Sequence, residues 1–211
     1  GYELDIRNSN HILKIMTNDS SVRTEIQGLH AIQEYCKSEN LNTIDDKSIR
    51  YQEKSKGQKQ DFPDFGFRVA FQEERILDSN DVDNWENTRK TFRYMNRVTA
   101  RHKDYPHLQV DLSIVRNSLR EPKYTVKESN VFRGKNSYEI EIEYKNEEEE
   151  SNVKTEVAAL RHMITNVLSG IQDSMYPIGE KERSRVALEY MKWIDIKEKR
   201  LFPKHFIGPS S

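Results

Sequence analysis

A single cysteine, Cys36, rules out an intrachain disulfide and points to a reducing compartment. No secretory leader and no apolar run of membrane-spanning length is visible. The six histidines are scattered and lack the spacing of a zinc site. His102-Lys103-Asp104 reads as a loop. There is no phosphate-binding P-loop and no dinucleotide glycine motif. Only 35% of the 211 residues are hydrophobic, but these occur in patterned runs, which excludes a disordered chain. The initiator Met is also missing, so a fragment of a longer protein is expected.

What is present is charge, and it is sorted. Charged residues make up 33% of the chain, yet the formal net charge is only −1. From Arg89 to Lys103 there are six Lys or Arg and no acid, and from Glu139 to Glu150 seven Glu and one Lys. A near-neutral protein with segregated charge is suited to hold an anion and a cation together.

The alternation of polar and apolar residues predicts strands over 2–7, 48–54, 67–75, 91–100, 108–116 and 138–144. Val22, Ile26, Leu29, Ile32 and Tyr35 stand at helical spacing and predict a helix over 21–37. Residues 78–88 read as a surface loop. After Tyr144 the period lengthens. Val153, Val157, Leu160, Ile164, Val167 and Ile171 predict one helix, and a second is expected over about 180–196. Residues 202–211 read as a linker. The whole predicts a strand-rich α+β body with helices outside it.

The strands carry the chemistry. Glu139, Glu141 and Glu143 alternate with isoleucines between Tyr138 and Tyr144, so three carboxylates share one face at roughly 7 Å intervals. Taken alone, such a strand fits an ordinary sheet with its Glu face in water. The pattern recurs, however. Glu3 and Asp5 form a second acidic pair, with Arg7 on the same face. Two acidic strands side by side make an all-oxygen site of the kind that suits Mg²⁺ or Mn²⁺. Arg93 and Arg97 share a face across Met95, and guanidinium forks match phosphate oxygens. The plainer role for these arginines is protection of an edge strand. Gln109, Asp111 and Ser113 form another polar face, and Arg50, Lys54, Arg68 and Glu74 extend the set. Many strands with one charged face predict a barrel closed around a polar lumen.

The order Glu3-x-Asp5-x-Arg7, Arg93-x-Met95-x-Arg97, Asp111-Leu112-Ser113-x-Val115-Arg116 and Tyr138–Tyr144 resembles the triphosphate tunnel metalloenzymes. Within them it is most similar to the RNA triphosphatase domain of mRNA capping enzymes from large cytoplasmic DNA viruses. The resemblance implies an eight-stranded antiparallel tunnel over residues 1–200, with 201–211 leading toward a guanylyltransferase domain. It implies metal-dependent removal of the γ-phosphate of 5′-triphosphate RNA and of nucleoside triphosphates, as the first step of capping. The implied metal ligands are Glu3, Asp5, Glu139, Glu141 and Glu143. The implied phosphate ligands are Arg7, Lys54, Arg68, Arg93, Arg97 and Ser113. Glu74 would orient water, and Asp111 joins Arg93 and Arg97 in the catalytic set. Guanylyltransferase and methyltransferase domains are the implied neighbours, and a host cytoplasm or virion is the implied location, away from membranes. Met95 and Gln109 stand where the family usually carries basic residues, and Asp5 where it carries Glu. The departures at Met95 and Gln109 favour one alternative, a catalytically weak tunnel used as a structural or RNA-docking module; a small-molecule tripolyphosphatase is a second alternative, and the viral-like tail argues against it.

Overall fold

The computed structural model describes residues 4–18, 20–103, 105–118, 121–144 and 153–193, with side chains omitted for 4–7, 153, 154 and 193. In chain order the elements are β1 (Leu4–Thr17), β2 (Val22–Gln27), α1 (Leu29–Ser38), β3 (Ile49–Lys54), β4 (Gln58–Phe62), β5 (Phe67–Phe71) and β6 (Glu74–Leu77). There follow β7 (Lys90–His102), β8 (Leu108–Asn117), α2 (Val126–Ser129), β9 (Ser137–Tyr144), α3 (Val153–Gln172) and α4 (Glu180–Trp193). Short 3₁₀ turns fill several of the connections.

These elements form two units, and β4, β5, α3 and α4 belong to the second. The first holds a seven-stranded sheet of order β6-β3-β2-β1-β7-β8-β9, antiparallel throughout. It curls into an open half-barrel. Among the described residues the edge strands β6 and β9 do not pair with each other. β1 bulges where the register passes from Ile6 opposite Ala100 to Asn8 opposite Thr99, which leaves Arg7 without a ladder partner.

Period-two alternation gives this sheet one apolar face. Leu13, Ile15, Ile26 and Phe92 lie on it, fully buried with Ala31, Ile32 and Tyr35 of α1 and with Val126 and Val131. Each such aliphatic side chain, removed from water, contributes roughly 1.5–3 kcal/mol. Gly28 makes the corner between β2 and α1 at φ +95, where a side chain would be strained, and its N–H bonds the His11 carbonyl at 2.8 Å. Two sequence expectations are corrected here. Residues 22–27 are strand rather than helix, because Val22, Thr24 and Ile26 fill the ladder between β1 and β3. The helical spacing of Val22 and Ile26 with α1 was coincidental. The strand expected over 67–75 is two strands. β5 pairs with β4 in a separate hairpin, whereas β6 pairs with β3.

In the second unit the β4–β5 turn supplies Asp64, whose carboxylate accepts from the Lys181 N–H at 2.7 Å while its carbonyl accepts from the Glu180 N–H at 2.7 Å. Asp64 thus caps α4 from outside the helix. A Cβ on Gly179 would collide with that carboxylate. α3 turns Ala159 and Met163 inward and leaves Val157 and Ile171 exposed, so its buried stripe is rotated from the one expected. α4 is described to Trp193.

Candidate active site

The other face of the seven-stranded sheet carries the charge. Antiparallel pairing puts directly opposed residues on the same side, so the register builds rows across the strands. One row runs Arg50–Glu25–Lys14–Arg93–Asn117 over β3, β2, β1, β7 and β8. The next is Ile12–Met95–Val115–Ser137. Then come Asn10–Arg97–Ser113–Glu139 and Asn8–Thr99–Asp111–Glu141. Arg101 pairs by register with Asp5 on one side and Gln109 on the other, and Gln109 faces Glu143.

Two arginines of β7 reach across β8 to glutamates of β9. Arg93 is paired with Glu139. Arg97 meets Glu141 at 2.5 Å, Asp111 at 2.9 Å and, through Nε, the Ser113 hydroxyl at 3.1 Å. Small side chains on β8, Ser113 and Val115, leave space for this crossing. Asp111 is buried, and its carboxylate accepts from the Thr99 hydroxyl at 2.7 Å and the Gln109 amide at 2.9 Å. Gln109 therefore holds Asp111 in place, a role its position in the sequence did not disclose. Arg93 Nε is buried and finds no acceptor among the described residues. Leaving such a donor unpaired costs on the order of 1–3 kcal/mol.

On the β3–β6 side, Lys54 pairs with Glu74, and Gln52 donates to Glu74 at 3.3 Å. Burial pushes the Glu74 carboxyl up, but the Lys54 hydrogen bond and the charges of Lys54, Lys14 and Arg50 outweigh it and hold the group below its ordinary value. Lys14 pairs with the buried Glu25 at 2.6 Å. Lys14, Glu25 and Thr99 were missed from sequence. The signal was there for Lys14, since Ile12, Lys14 and Met16 alternate with Leu13 and Ile15, but the strand was ended ten residues early.

Of the residues expected at the site, Arg93, Arg97, Asp111, Ser113, Glu139 and Glu141 are brought together, and Lys54 with Glu74 lies on the same sheet face. Arg68 belongs to the separate hairpin, paired with Asp61 at 2.5 Å and largely exposed. Glu3 and the side chains of Asp5 and Arg7 lie outside the described residues. The acidic strands expected side by side are not neighbours: β7 pairs along β1, so β7 and β8 lie between β1 and β9. Met95 is explained by its row. It is buried with Ile12 and Val115 in an apolar bar across the charged face, where a lysine would be costly.

A divalent cation can be tested against the donor set. The carboxylates of Asp111, Glu139 and Glu141 are hard oxygen donors of the right chemistry. Among the described residues no three acidic, His or Cys side chains converge on one point, and the remaining implied ligands, Glu3 and Asp5, are outside that set. The fit is therefore chemical, with Arg93 and Arg97 answering the carboxylates in this structure.

The curled antiparallel sheet places the chain in the fold class of the tunnel-fold triphosphatases. Three structures of the triphosphatase domain of the mimivirus mRNA capping enzyme share it. Their TM-scores are 0.54, 0.54 and 0.52, at 16%, 17% and 16% identity. The first two matches span 74% of this chain and the third 76%, against 73%, 74% and 76% of those chains. At such identity the likeness is one of fold. No family model and no curated protein matches the sequence. No helix among the described residues is long and apolar enough to cross a membrane.

Proposed function

We propose that this chain is an RNA 5′-triphosphatase that removes the γ-phosphate ahead of guanylylation, with the half-barrel completed into a closed eight-stranded tunnel. The observation that carries this reading is the pair of guanidinium groups, Arg93 and Arg97, on the charged face of a sheet similar in fold to the triphosphatase domains. Arg93, Arg97 and the Ser113 hydroxyl bind phosphate oxygens, with Lys54 and Arg7 as further cations of the set. Asp111 keeps Arg97 aimed. Glu74, kept ionised by the Lys54 hydrogen bond and the charges of Lys54, Lys14 and Arg50, accepts a hydrogen bond from water and orients it. Water attacks the γ-phosphorus, the bond to the β–γ bridging oxygen breaks, and the products are inorganic phosphate, a diphosphate end and a proton released to solvent. Mg²⁺ or Mn²⁺, held by Glu139, Glu141 and Glu143 with Glu3 and Asp5, would supply Lewis-acid neutralisation of the phosphate charge.

On this reading the partners are 5′-triphosphate RNA, nucleoside triphosphates and the guanylyltransferase and methyltransferase domains of a cytoplasmic capping system. One observation favours a weaker tunnel that serves in docking: the Ile12–Met95–Val115 bar removes a cation from the middle of the face. Phosphate release from triphosphate-ended RNA, a nucleoside triphosphate and inorganic tripolyphosphate, with Mg²⁺ or Mn²⁺, decides between them. Turnover of the RNA supports the enzyme. RNA binding without turnover favours the docking module, and turnover of tripolyphosphate alone makes it a small-molecule enzyme.

A further inference from the structure

Arg97 presents a problem for the phosphate role just assigned. A guanidinium binds phosphate best through two parallel N–H groups on one edge. In this structure each of its three nitrogens is already engaged by the protein: Nε donates to Ser113, Nη2 donates to Glu141, and Nη1 is ion-paired with Asp111 at 2.9 Å. Both usable edges are therefore partly occupied, and a bidentate anion has to displace a partner.

The three partners are not equally easy to displace. The Asp111 side chain is 2% exposed and is fixed by Thr99 and Gln109. Stripping its cation would leave a buried carboxylate without its charge partner, which is costly. Glu141 is 52% exposed, and its carboxylate passes into water when it leaves Arg97. Exposed ion pairs are weak, so Glu141 is the partner that gives way. The second crossing has the same form: Arg93 is held by Glu139, whose side chain is 32% exposed, while Arg93 Nε remains unpartnered.

We propose, resting on the triphosphatase reading of the site, that Glu141 and Glu139 are exchangeable latches on Arg97 and Arg93. Polyphosphate binds by taking the guanidinium edges from these carboxylates, while Asp111 and Ser113 keep Arg97 aimed. The released carboxylates are then open to a cation. Anion and cation binding are thereby coupled with positive sign, and by linkage each tightens the other equally. With neither ligand present, the arginines and glutamates neutralise one another across β8.

The test is calorimetric binding of inorganic tripolyphosphate in chelator, without metal and at fixed ionic strength. Wild type, Glu141→Gln, Arg97→Gln and the double variant are compared, each checked by thermal melt. Removing the latch should tighten binding roughly fivefold, the value of a half-exposed pair. The gain should vanish in the Arg97→Gln background, because no guanidinium edge is left to release. An equal gain in both backgrounds would mean that Glu141 only adds to the local field, and no gain would mean that it holds nothing; either overturns the latch. Should Arg97→Gln unfold, Glu139→Gln with and without Arg93→Gln repeats the cycle at the other crossing. A wild-type protein that binds tripolyphosphate neither alone nor with Mn²⁺ removes the functional reading itself. Binding with Mn²⁺ but no effect of Glu141→Gln removes the latch alone.

Discussion

Met95 shows how one side chain is fixed by its neighbours across strands rather than along the chain. In sequence it stands between two arginines on a basic strand, and charge would suit it. In the sheet it lies between Ile12 and Val115, 1% exposed. Met95→Leu keeps the volume and should cost under about 1.5 kcal/mol. Met95→Lys places an ammonium in that bar with arginines on either side, and should cost at least about 2 kcal/mol in urea unfolding. A stable Met95→Lys protein would show that the bar opens to solvent and that the missing cation is easily restored. The same row explains what single residues in sequence concealed. Which face Arg93, Arg97, Asp111 and Glu141 occupy followed from period two. That Arg97 meets Asp111 and Glu141 depends on register and on the small Ser113, and neither is written in one strand.

At the scale of elements, strands with clean alternation were legible: β3, β7, β8 and β9 lie within a few residues of expectation. β2 was lost because Val22 and Ile26 are also four apart, and only its partners on both sides decide for strand. The β4 strand was missed because its five residues are all exposed and carry no core pattern. Its hairpin turn makes the cap of α4, a contact between residues more than a hundred positions apart that no local signal announces. Asp64→Ala should lower the stability of α4 by about 0.5–2 kcal/mol, the usual value of an N-cap. Hydrogen exchange of the first-turn amides of α4 reads this directly. Unchanged protection at Lys181 would show that water replaces the carboxylate at no cost.

For the molecule as a whole, the charged face ties stability to pH. The carboxyl of Glu74 lies below its ordinary value in the folded state, owing to Lys54, Lys14 and Arg50. Its contribution is complete above the ordinary glutamate value and is lost as pH falls through the lowered one. Urea midpoints should therefore fall more steeply below about pH 5 for wild type than for Glu74→Gln. Parallel curves would mean that Lys54 and Glu74 contribute nothing as a pair. Composition and alternation were enough to foresee a sheet with one polar face, because that depends on every strand at once. The separation of the first and last acidic strands was not foreseeable, since it follows from which strand captures the open edge of β1.

That edge also bears on how the chain reaches this state. β1, β2, β3 and β6 form one run of neighbours and β7, β8 and β9 another, and among the described residues the strands of the two runs pair with each other only along β1 and β7. That seam pairs Thr17 with Lys90 and Leu4 with His102, so it closes long loops before any of its contacts form. Docking of two preformed halves is then the slow step of refolding. Ile12→Val, at the middle of the seam, should slow refolding in stopped-flow experiments in proportion to the stability it removes, about 0.5–1.5 kcal/mol. If only the unfolding rate changes, the halves meet first somewhere else. Until the seam closes, β1 and β7 each expose an unpaired backbone edge, and in that interval the chain is most prone to pair with another copy of itself.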